Sequence, residues 1–410
     1  MRHAVSHWEL KDVVELADTT MGRRASANDA TAMPARREAT SPLLPIEAVD
    51  ASQWRSLADR AIEPNGYYLP DWELAVNASA PGRTGASVLV ARNDGGLLGL
   101  MPVVSLARAF KIPLPALVSA HPYGTLCTPL LDHVRAEEAA AQLMRAARET
   151  GARALLLREV ALDGAAMKAV NAVLRGEGIR PRILRWHLRA CLNAKRGADQ
   201  LLQDALGAKK LKELRRQRHR LAEHGDVAFE IARSRDDVLT AIGTFLQLEA
   251  GGWKGRRGTA LMQVEGNAAF IRRATGALAE TGHCEIVTLR AGDVAVSSGI
   301  VLRHQSRAFF FKIGVNERFA KFSPGVQLTL ELTRHLCADP KIASADSTAS
   351  PDHPMINPIW RGRFAIGDVL IPLRSQDPAV AAVHAALVMR QSALDVARWG
   401  VHAIRRSRKR

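Results

Sequence analysis

Four side chains in the second half of the sequence have the chemical character of catalytic groups. Glu249, Asp346 and His353 can each accept a proton, so we take them as candidate general bases. Lys312 interrupts the aromatic run Phe309 to Gly314, and a lysine in such a strand is costly to bury unless it meets an anion. The pattern predicts proton transfer and charge stabilisation close to this strand.

Each of these residues also has an ordinary structural interpretation. Lys312 can extend its amine to solvent while its carbon stem stays buried. Glu249 can form a salt bridge with Lys254, five residues along the chain. His353 lies between two prolines in a loop, where a lone histidine can be purely structural. The residue types alone do not choose between these interpretations.

A candidate anion site follows the aromatic strand. We expect Ser323 to be the N-cap of a helix and Pro324 its first residue, because the N–H that proline lacks would have no partner there. Gly325 has no side chain, so the amides of Gly325, Val326 and Gln327 could approach a ligand closely. A helix start of this kind suits a phosphate. An ordinary strand-loop-helix unit explains the same residues.

The composition is that of a soluble globular protein, with 47% hydrophobic and 24% charged residues in a chain of 410. This length predicts two domains plus tails. No uninterrupted apolar stretch is long enough to span a membrane and no signal-peptide core is present, so we expect a cytoplasmic location. The four scattered cysteines form no Cys-x-x-Cys pair, which argues against a metal site and for buried free thiols.

The net charge of +16 is concentrated in two short segments. Lys209 to Arg220 holds seven basic residues and one acidic residue, and Arg405 to Arg410 holds five basic residues. Such runs are commonly solvated helix surface, although they could also bind phosphates. The first run lacks interleaved aromatic residues, and no helix-turn-helix or zinc motif is present. We therefore expect no specific DNA partner.

Four regions are predicted along the chain. Residues 1–42 are polar and lack periodicity, so they are expected to be a disordered leader. Residues 43–195 and 196–375 each combine helices with strand-and-hairpin patterns, including a long helix over 199–224 that is broken at Gly207 and an antiparallel meander over 285–313. Residues 376–410 are predicted to form an amphipathic helix with a basic tail. That helix could dock on the domain or make weak contact with an anionic membrane surface.

The two central regions resemble each other, and the second resembles a known family. Similar strand-hairpin-strand sequences at 89–99 and 288–296 indicate an internal duplication. From about Leu43 to Leu373, and most strongly in the second region, the chain is similar to tandem-GNAT acyltransferases. The most similar branch is the CelD-like acetyltransferases of cellulose and exopolysaccharide production, which are related to the Fem aminoacyl transferases. This resemblance rests on segments in the family's order: Lys212 to Gly225, Leu248-Glu249, Trp253-Lys254-Gly255, Ala291-Gly292-Asp293, Lys312, Lys321 to Gly325 and Asp346.

The resemblance implies an α/β (α+β) fold of two tandem GNAT-like domains, each a mixed, mostly antiparallel sheet flanked by helices. It also implies a thioester donor, acetyl-CoA or another acyl-CoA, and no metal. By position, a strand around Phe311 and Ile313 would bind the pantetheine. The loop with Lys321, Ser323 and Gly325 to Gln327 would bind the pyrophosphate.

The expected reaction is acyl transfer to an amine or hydroxyl. Lys312 and Lys254 would supply positive charge, and Trp253 and Trp360 could line a groove for an acceptor such as a small molecule or a glycan precursor. Core packing is the alternative for the two tryptophans. Two other functions stay open: a Fem-like transferase that uses aminoacyl-tRNA, and a nucleic-acid-binding protein that is not an enzyme.

Overall fold

One continuous sheet of 13 strands forms the centre of the molecule. The computed structural model describes residues 43–407, with side chains up to residue 397, so the leader predicted over 1–42 lies outside the described residues. The strands follow the order β1-β2-β3-β4-β6-β13-β7-β12-β11-β10-β9-β8, and β5 pairs with β3. Their bounds are β1 Leu44–Pro45, β2 Ser87–Asn93, β3 Gly96–Ser105, β4 Ala116–Ser119, β5 Leu130–Leu131, β6 Ala154–Ala161, β7 Arg182–Asn193, β8 Val227–Ala232, β9 Cys284–Ala291, β10 Val294–His304, β11 Arg307–Val315, β12 Ser344–Asp346 and β13 Gly362–Pro372.

Helices cover this sheet. Most of them have apolar positions at helical spacing and bury one face, whereas the four-residue α8 buries no side chain. Their bounds are α1 Ala51–Asp59, α2 Pro70–Ser79, α3 Leu106–Phe110, α4 Ala136–Glu149, α5 Ala165–Gly176, α6 Ala198–Leu221, α7 Arg235–Gly251, α8 Trp253–Arg256, α9 Glu265–Glu280, α10 Pro324–Ala338 and α11 Pro378–Ser407.

The two halves of the sheet repeat the same order. Each has antiparallel outer strands and then one parallel pair, β4 with β6 in the first half and β11 with β12 in the second. All other pairs are antiparallel, which confirms the predicted mixed, mostly antiparallel sheet. The hairpins β2–β3 and β9–β10, whose sequences indicated a duplication, hold corresponding places in the two halves.

The halves exchange their central strands. β7 follows the helices of the first half but pairs with β12 of the second, while β13, near the end of the chain, pairs with β6 of the first. β7 and β13 also pair with each other, and this pairing joins the two halves into one sheet. The strand β13 was not predicted, and the domain boundary near residue 195 stays a prediction.

The predicted long helix is present as α6. Gly207 interrupts it with φ 72° and ψ 162°, a conformation that glycine adopts without a Cβ clash. Leu211, Leu214 and Leu221 are buried as expected, and the basic residues between them lie largely on the outer surface.

A shared core joins the two halves. Trp54, Tyr67 and Trp72 of the first half pack in one cluster with Phe270 and Phe309 of the second. The Trp72 ring lies 5.0 Å from the Phe270 ring in an edge-to-face contact. This aromatic core includes Phe309 of β11, the strand that also carries Lys312.

Candidate functional site

Strands β11 and β12 separate in the middle of the sheet. They pair in parallel only over Arg307 to Phe309 and Ser344 to Asp346. Past this point the Thr348 hydroxyl donates a 2.6 Å hydrogen bond to the Phe310 carbonyl, while β11 continues to Val315 paired only with β10. Among the described strands, none covers the other edge of this last part of β11. Its backbone groups are therefore available at that edge.

A β-bulge directs Lys312 towards the first half of the chain. Val301 of β10 lies opposite Phe310 and Ile300 lies opposite Lys312, so Phe311 is an extra residue in β11. Because a bulge breaks the strict alternation of side chains, Phe311 and Lys312 can both face the shared core. The Lys312 ammonium lies 5.5 Å from the centre of the Phe311 ring and 6.0 Å from that of Tyr123.

Glu249 at the end of α7 faces the same strand. Helix and strand approach closely at Gly314, where a Cβ would lie 3.1 Å from the Glu249 amide nitrogen. The Glu249 carboxylate accepts hydrogen bonds of 2.9 Å from the Lys254 ammonium and from the Leu261 amide. Burial acts to raise its pKa, but Lys312 and Lys254 outweigh burial, so the pKa is lowered. The salt bridge considered from the sequence is present, and proton acceptance by Glu249 stays a prediction.

His353 lies in the loop that follows β12. Its Nδ1 accepts hydrogen bonds from the amides of Met355 and Ile356, at 3.3 and 3.4 Å. Burial, followed by the charge of Lys254, lowers the pKa of His353. Because a backbone N–H group can only donate, the Nδ1 atom in these contacts must be the acceptor. A neutral His353 ring in this arrangement therefore carries its proton on Nε2. In this conformation His353 offers a hydrogen-bond donor at Nε2 rather than a base.

Asp346 is part of a buried cluster of charged residues. Its side chain accepts a 3.2 Å bond from Arg189 and a 2.8 Å bond from the Thr348 amide, and the residue is 1% exposed. Arg189, also 1% exposed, lies 3.7 Å from Glu159. The assignment of Asp346 as a catalytic base is therefore corrected. The residue holds β7 and the end of β12 together where β11 diverges.

The start of α10 differs in part from the sequence prediction. Pro324 is its first residue, as expected, but Ser323 has φ 51° and its side chain caps nothing. The Gln327 amide donates to the Ser323 carbonyl and the Gln327 side chain donates to Leu214 in α6. Gly325 is covered, since a Cβ there would lie 3.0 Å from the sulfur of Met355. The amides of this turn are thus less open to an anion than the sequence suggested.

A cavity of about 300 Å³ opens beside this turn. Lys321 is exposed at its wall, with the ammonium 4.8 Å from the centre of the Phe322 ring. The cavity is lined by His224, Val294, Asn316, Arg318, Phe319, Lys321 and Phe322. Basic, amide and aromatic side chains therefore meet in the connection between β11 and α10.

The two tryptophans differ in position. Trp253 is partly exposed, and its ring lies 5.2 Å from the Arg257 guanidinium and 5.9 Å from the Lys254 ammonium. Trp360 is 0% exposed, donates from Nε1 to Thr333 and packs on Phe310, so its assignment to an acceptor groove is wrong. Trp360 is a core residue, while substrate contact by Trp253 stays a prediction.

The first half contributes residues that sequence reasoning missed. Tyr123 lies in the proline-rich connection after β4 and has φ 55°, an uncommon conformation for a residue with a side chain. The Arg83 guanidinium lies 4.5 Å from the centre of its ring, and Phe270 packs against it at 4.9 Å. Its sequence gave no signal beyond a mixed polar and aromatic loop. The surroundings of Lys312 are therefore built from both halves.

Comparisons with known proteins agree with this geometry. Residues 208–352 match the acetyltransferase (GNAT) domain family, a range that includes Glu249, Lys312 and Asp346. No curated protein sequence matches the chain. No group of three or more His, Cys, Asp or Glu in the described part of the chain could hold a metal ion.

Solved structures share the fold at low sequence identity. FemX superposes with a TM-score of 0.54 and 11% identity, over 82% of this chain and 98% of FemX. The C-terminal domain of a candidate lysylphosphatidylglycerol synthetase from Agrobacterium fabrum gives 0.50 and 14%, over 82% and 95%. A conserved protein from Bacteroides thetaiotaomicron gives 0.50 and 11%, over 81% and 100%. The chain thus carries an acetyltransferase (GNAT) domain at residues 208–352, within a fold that it shares over both halves with FemX.

Proposed function

We propose that the protein transfers an acyl group from acyl-CoA to an amine or hydroxyl acceptor. The observation that carries this proposal is the divergence of β11 from β12 inside the region that matches an acetyltransferase domain. An unpaired strand edge can hydrogen-bond an extended chain, as strand addition does in peptide recognition. The amide groups of pantetheine have the donors and acceptors that this edge requires.

The basic cavity beside α10 is the proposed place for the phosphates of the donor. Arg318 and Lys321 line this cavity. Helix α6, which carries exposed lysines and arginines, contacts α10 through the hydrogen bond from the Gln327 side chain to the Leu214 carbonyl. Cationic side chains bind phosphate by charge-assisted hydrogen bonds. This assignment keeps the predicted role of Lys321 and moves the anion away from the covered Gly325.

Lys312 and His353 are the proposed contacts to the reacting carbonyl. A positive charge close to that oxygen stabilises the negative charge that develops when the acceptor attacks. Lys312 on β11 is proposed to supply this positive charge. The Nε2 proton of His353 is proposed as a second hydrogen-bond donor. Glu249 holds Lys254 in a salt bridge, and the charges of Lys312 and Lys254 lower the pKa of Glu249.

The acceptor is proposed to enter between Tyr123 and Trp253. The Tyr123 ring lies near the cations Arg83 and Lys312, and the Trp253 ring lies near Lys254. Aromatic faces favour sugar rings, which supports a glycan or exopolysaccharide precursor of the kind associated with the CelD-like acetyltransferases. The four free cysteines support a cytoplasmic site of action.

Calorimetric titration of acetyl-CoA and CoA into the full-length protein tests the donor. We expect micromolar binding, and Lys321→Glu should weaken it by roughly tenfold or more, because it reverses a charge at the proposed phosphate contact. Lys341→Glu is the matched control, since this exposed lysine follows the opposite end of α10 and makes the same change in net charge. Absence of binding to the unaltered protein would contradict the proposal.

Aminoacyl-tRNA is the second candidate donor, favoured by the basic surface of α6. Lys209, Lys210, Lys212 and Arg215 are exposed on this helix. Titration with tRNA at several salt concentrations tests it, because RNA binding through phosphates weakens steeply with salt. Tight, salt-sensitive tRNA binding in a protein that does not bind acetyl-CoA would favour this candidate.

A further inference from the structure

The last helix, α11, packs against the rest of the protein with one side of its N-terminal part, from Val380 to Arg390. Val380, Val383 and Leu387 are buried in a cluster with Leu156 and Leu370 of the sheet. Just after Leu387, the Arg390 guanidinium lies 4.3 Å from the centre of the Phe110 ring. This side of α11 is therefore accounted for by packing against the protein.

The opposite side of α11 lacks the charged residues expected on a solvent-facing helix. Met389 is 65% exposed, Val396 is 68% exposed and Val388 is 46% exposed. At about 100° per residue these three positions fall on one side of the helix, away from Val383 and Leu387. From Pro378 to Ala397 the only exposed charged residue is Asp395, and the other exposed positions are Pro378, Ala381, Ala382, Ala385, Val388, Met389, Ser392, Ala393, Val396 and Ala397.

An exposed apolar face of this length indicates a partner. Helices on the surface of globular proteins usually carry charged and polar residues on the outer side, and contiguous exposed apolar patches mark interaction sites. The sequence after Asp395 contains six arginines and lysines and no acidic residue. The partner should therefore be both apolar and negatively charged, which is the chemistry of an anionic lipid surface.

The helix contacts such a surface from the side rather than crossing it. Among the described residues, Pro378–Ala397 is the one helical segment long and apolar enough to span a membrane, a property that helices of soluble proteins can share. Val380, Val383 and Leu387 are packed in the protein core, so lipid cannot surround this segment. The apolar side opposite them remains accessible.

We propose that the outer face of α11 docks on an anionic bilayer surface, with the six basic residues after Asp395 contacting lipid headgroups. Apolar burial and electrostatic attraction act together in binding of this kind. A second copy of the chain is a poorer fit, because it would bring two strongly basic segments to the same interface. This inference does not depend on the proposed acyl transfer.

Flotation of the full-length protein with lipid vesicles tests the proposal. We expect the protein to float with phosphatidylcholine vesicles that contain about a third phosphatidylglycerol, and to stay unbound with phosphatidylcholine alone. Met389→Glu combined with Val396→Glu should reduce the bound fraction at least tenfold, and high salt should reduce it for the unaltered protein. Val134→Glu combined with Met262→Glu is the matched control, because it adds the same two charges at a valine that is 77% exposed and a methionine that is 43% exposed elsewhere.

Three results would overturn the proposal. The first is failure of the unaltered protein to float with anionic vesicles, and the second is equal flotation of the Met389→Glu, Val396→Glu variant and its control. The third is a dimer, detected by light scattering, that Met389→Glu dissociates, which would assign the face to a second copy. All altered positions are exposed, so thermal unfolding should confirm that each variant stays folded.

Discussion

The Thr348 hydroxyl donates to the Phe310 carbonyl at the point where β11 and β12 stop pairing. Thr348 adopts φ 51°, which is unfavourable for a β-branched residue and turns the chain away from β11. The residue therefore holds the two strands apart by replacing a strand-to-strand hydrogen bond with one from its side chain. The proposed donor site depends on this separation.

Replacing Thr348 by valine should destabilise the protein by about 1–3 kcal/mol, because the buried Phe310 carbonyl loses its hydroxyl donor. Urea unfolding followed by circular dichroism measures this change. Thr348→Ser keeps the hydroxyl and removes only the methyl branch, so its free energy of unfolding should be close to that of the unaltered protein. Equal stability of the valine and serine variants would show that the hydroxyl contributes nothing.

Asp346→Asn should cost about 3–5 kcal/mol in the free energy of unfolding, because it leaves Arg189 as a buried cation with a weaker partner. The measurement is again urea unfolding, with Asp352→Asn as a control at an exposed position in the adjoining loop. A variant of normal stability that had lost transferase activity would restore the catalytic assignment of Asp346.

Lys312→Met should lower the rate of acyl transfer about 100-fold while leaving CoA affinity unchanged, since the proposed contact forms only as charge develops on the carbonyl oxygen. The rate is measured with the acceptor that a screen of amines and sugars identifies. Lys341→Met, at an exposed site, should retain full activity. Loss of CoA affinity in Lys312→Met with an unchanged kcat would instead make Lys312 a binding residue.

The sequence predicted the parts of the fold that depend on local patterns. The meander β9–β11 and the kink of α6 at Gly207 follow from alternation, turn residues and glycine conformation. Strand β13 escaped prediction because its pairing depends on β6 and β7, which lie more than 150 residues earlier in the chain. The local sequence of an apolar strand does not indicate which distant strands it will pair with.

The candidate site was predictable only in part for the same reason. Glu249 and Lys254 form the salt bridge that the sequence offered as the structural alternative, and Lys312 lies near enough to lower the pKa of Glu249. Asp346 was misjudged because its partner Arg189 is remote in sequence, and Tyr123 was missed because it belongs to the other half. The bulge at Phe311 has no sequence signature, although it decides which way Lys312 points.

His304 links the two halves and should make their association sensitive to acid. Its Nδ1 accepts a 2.8 Å bond from the Asn65 amide, and its Nε2 contacts the Ala58 carbonyl at 2.9 Å. Burial is the main reason that its pKa falls from 6.5 to about 4. Below pH 6.5 the unfolded chain therefore binds a proton that the folded protein does not.

The stability that His304 contributes should be fully present above pH 6.5 and should decline as the pH falls towards 4, by about 3 kcal/mol in all. Urea unfolding at pH values from 7.5 to 4.5 measures the slope. His304→Gln should flatten this slope, because glutamine does not titrate, whereas His219→Gln on the exposed surface of α6 should leave it unchanged. The same acid slope in both variants would assign the pH dependence to other groups.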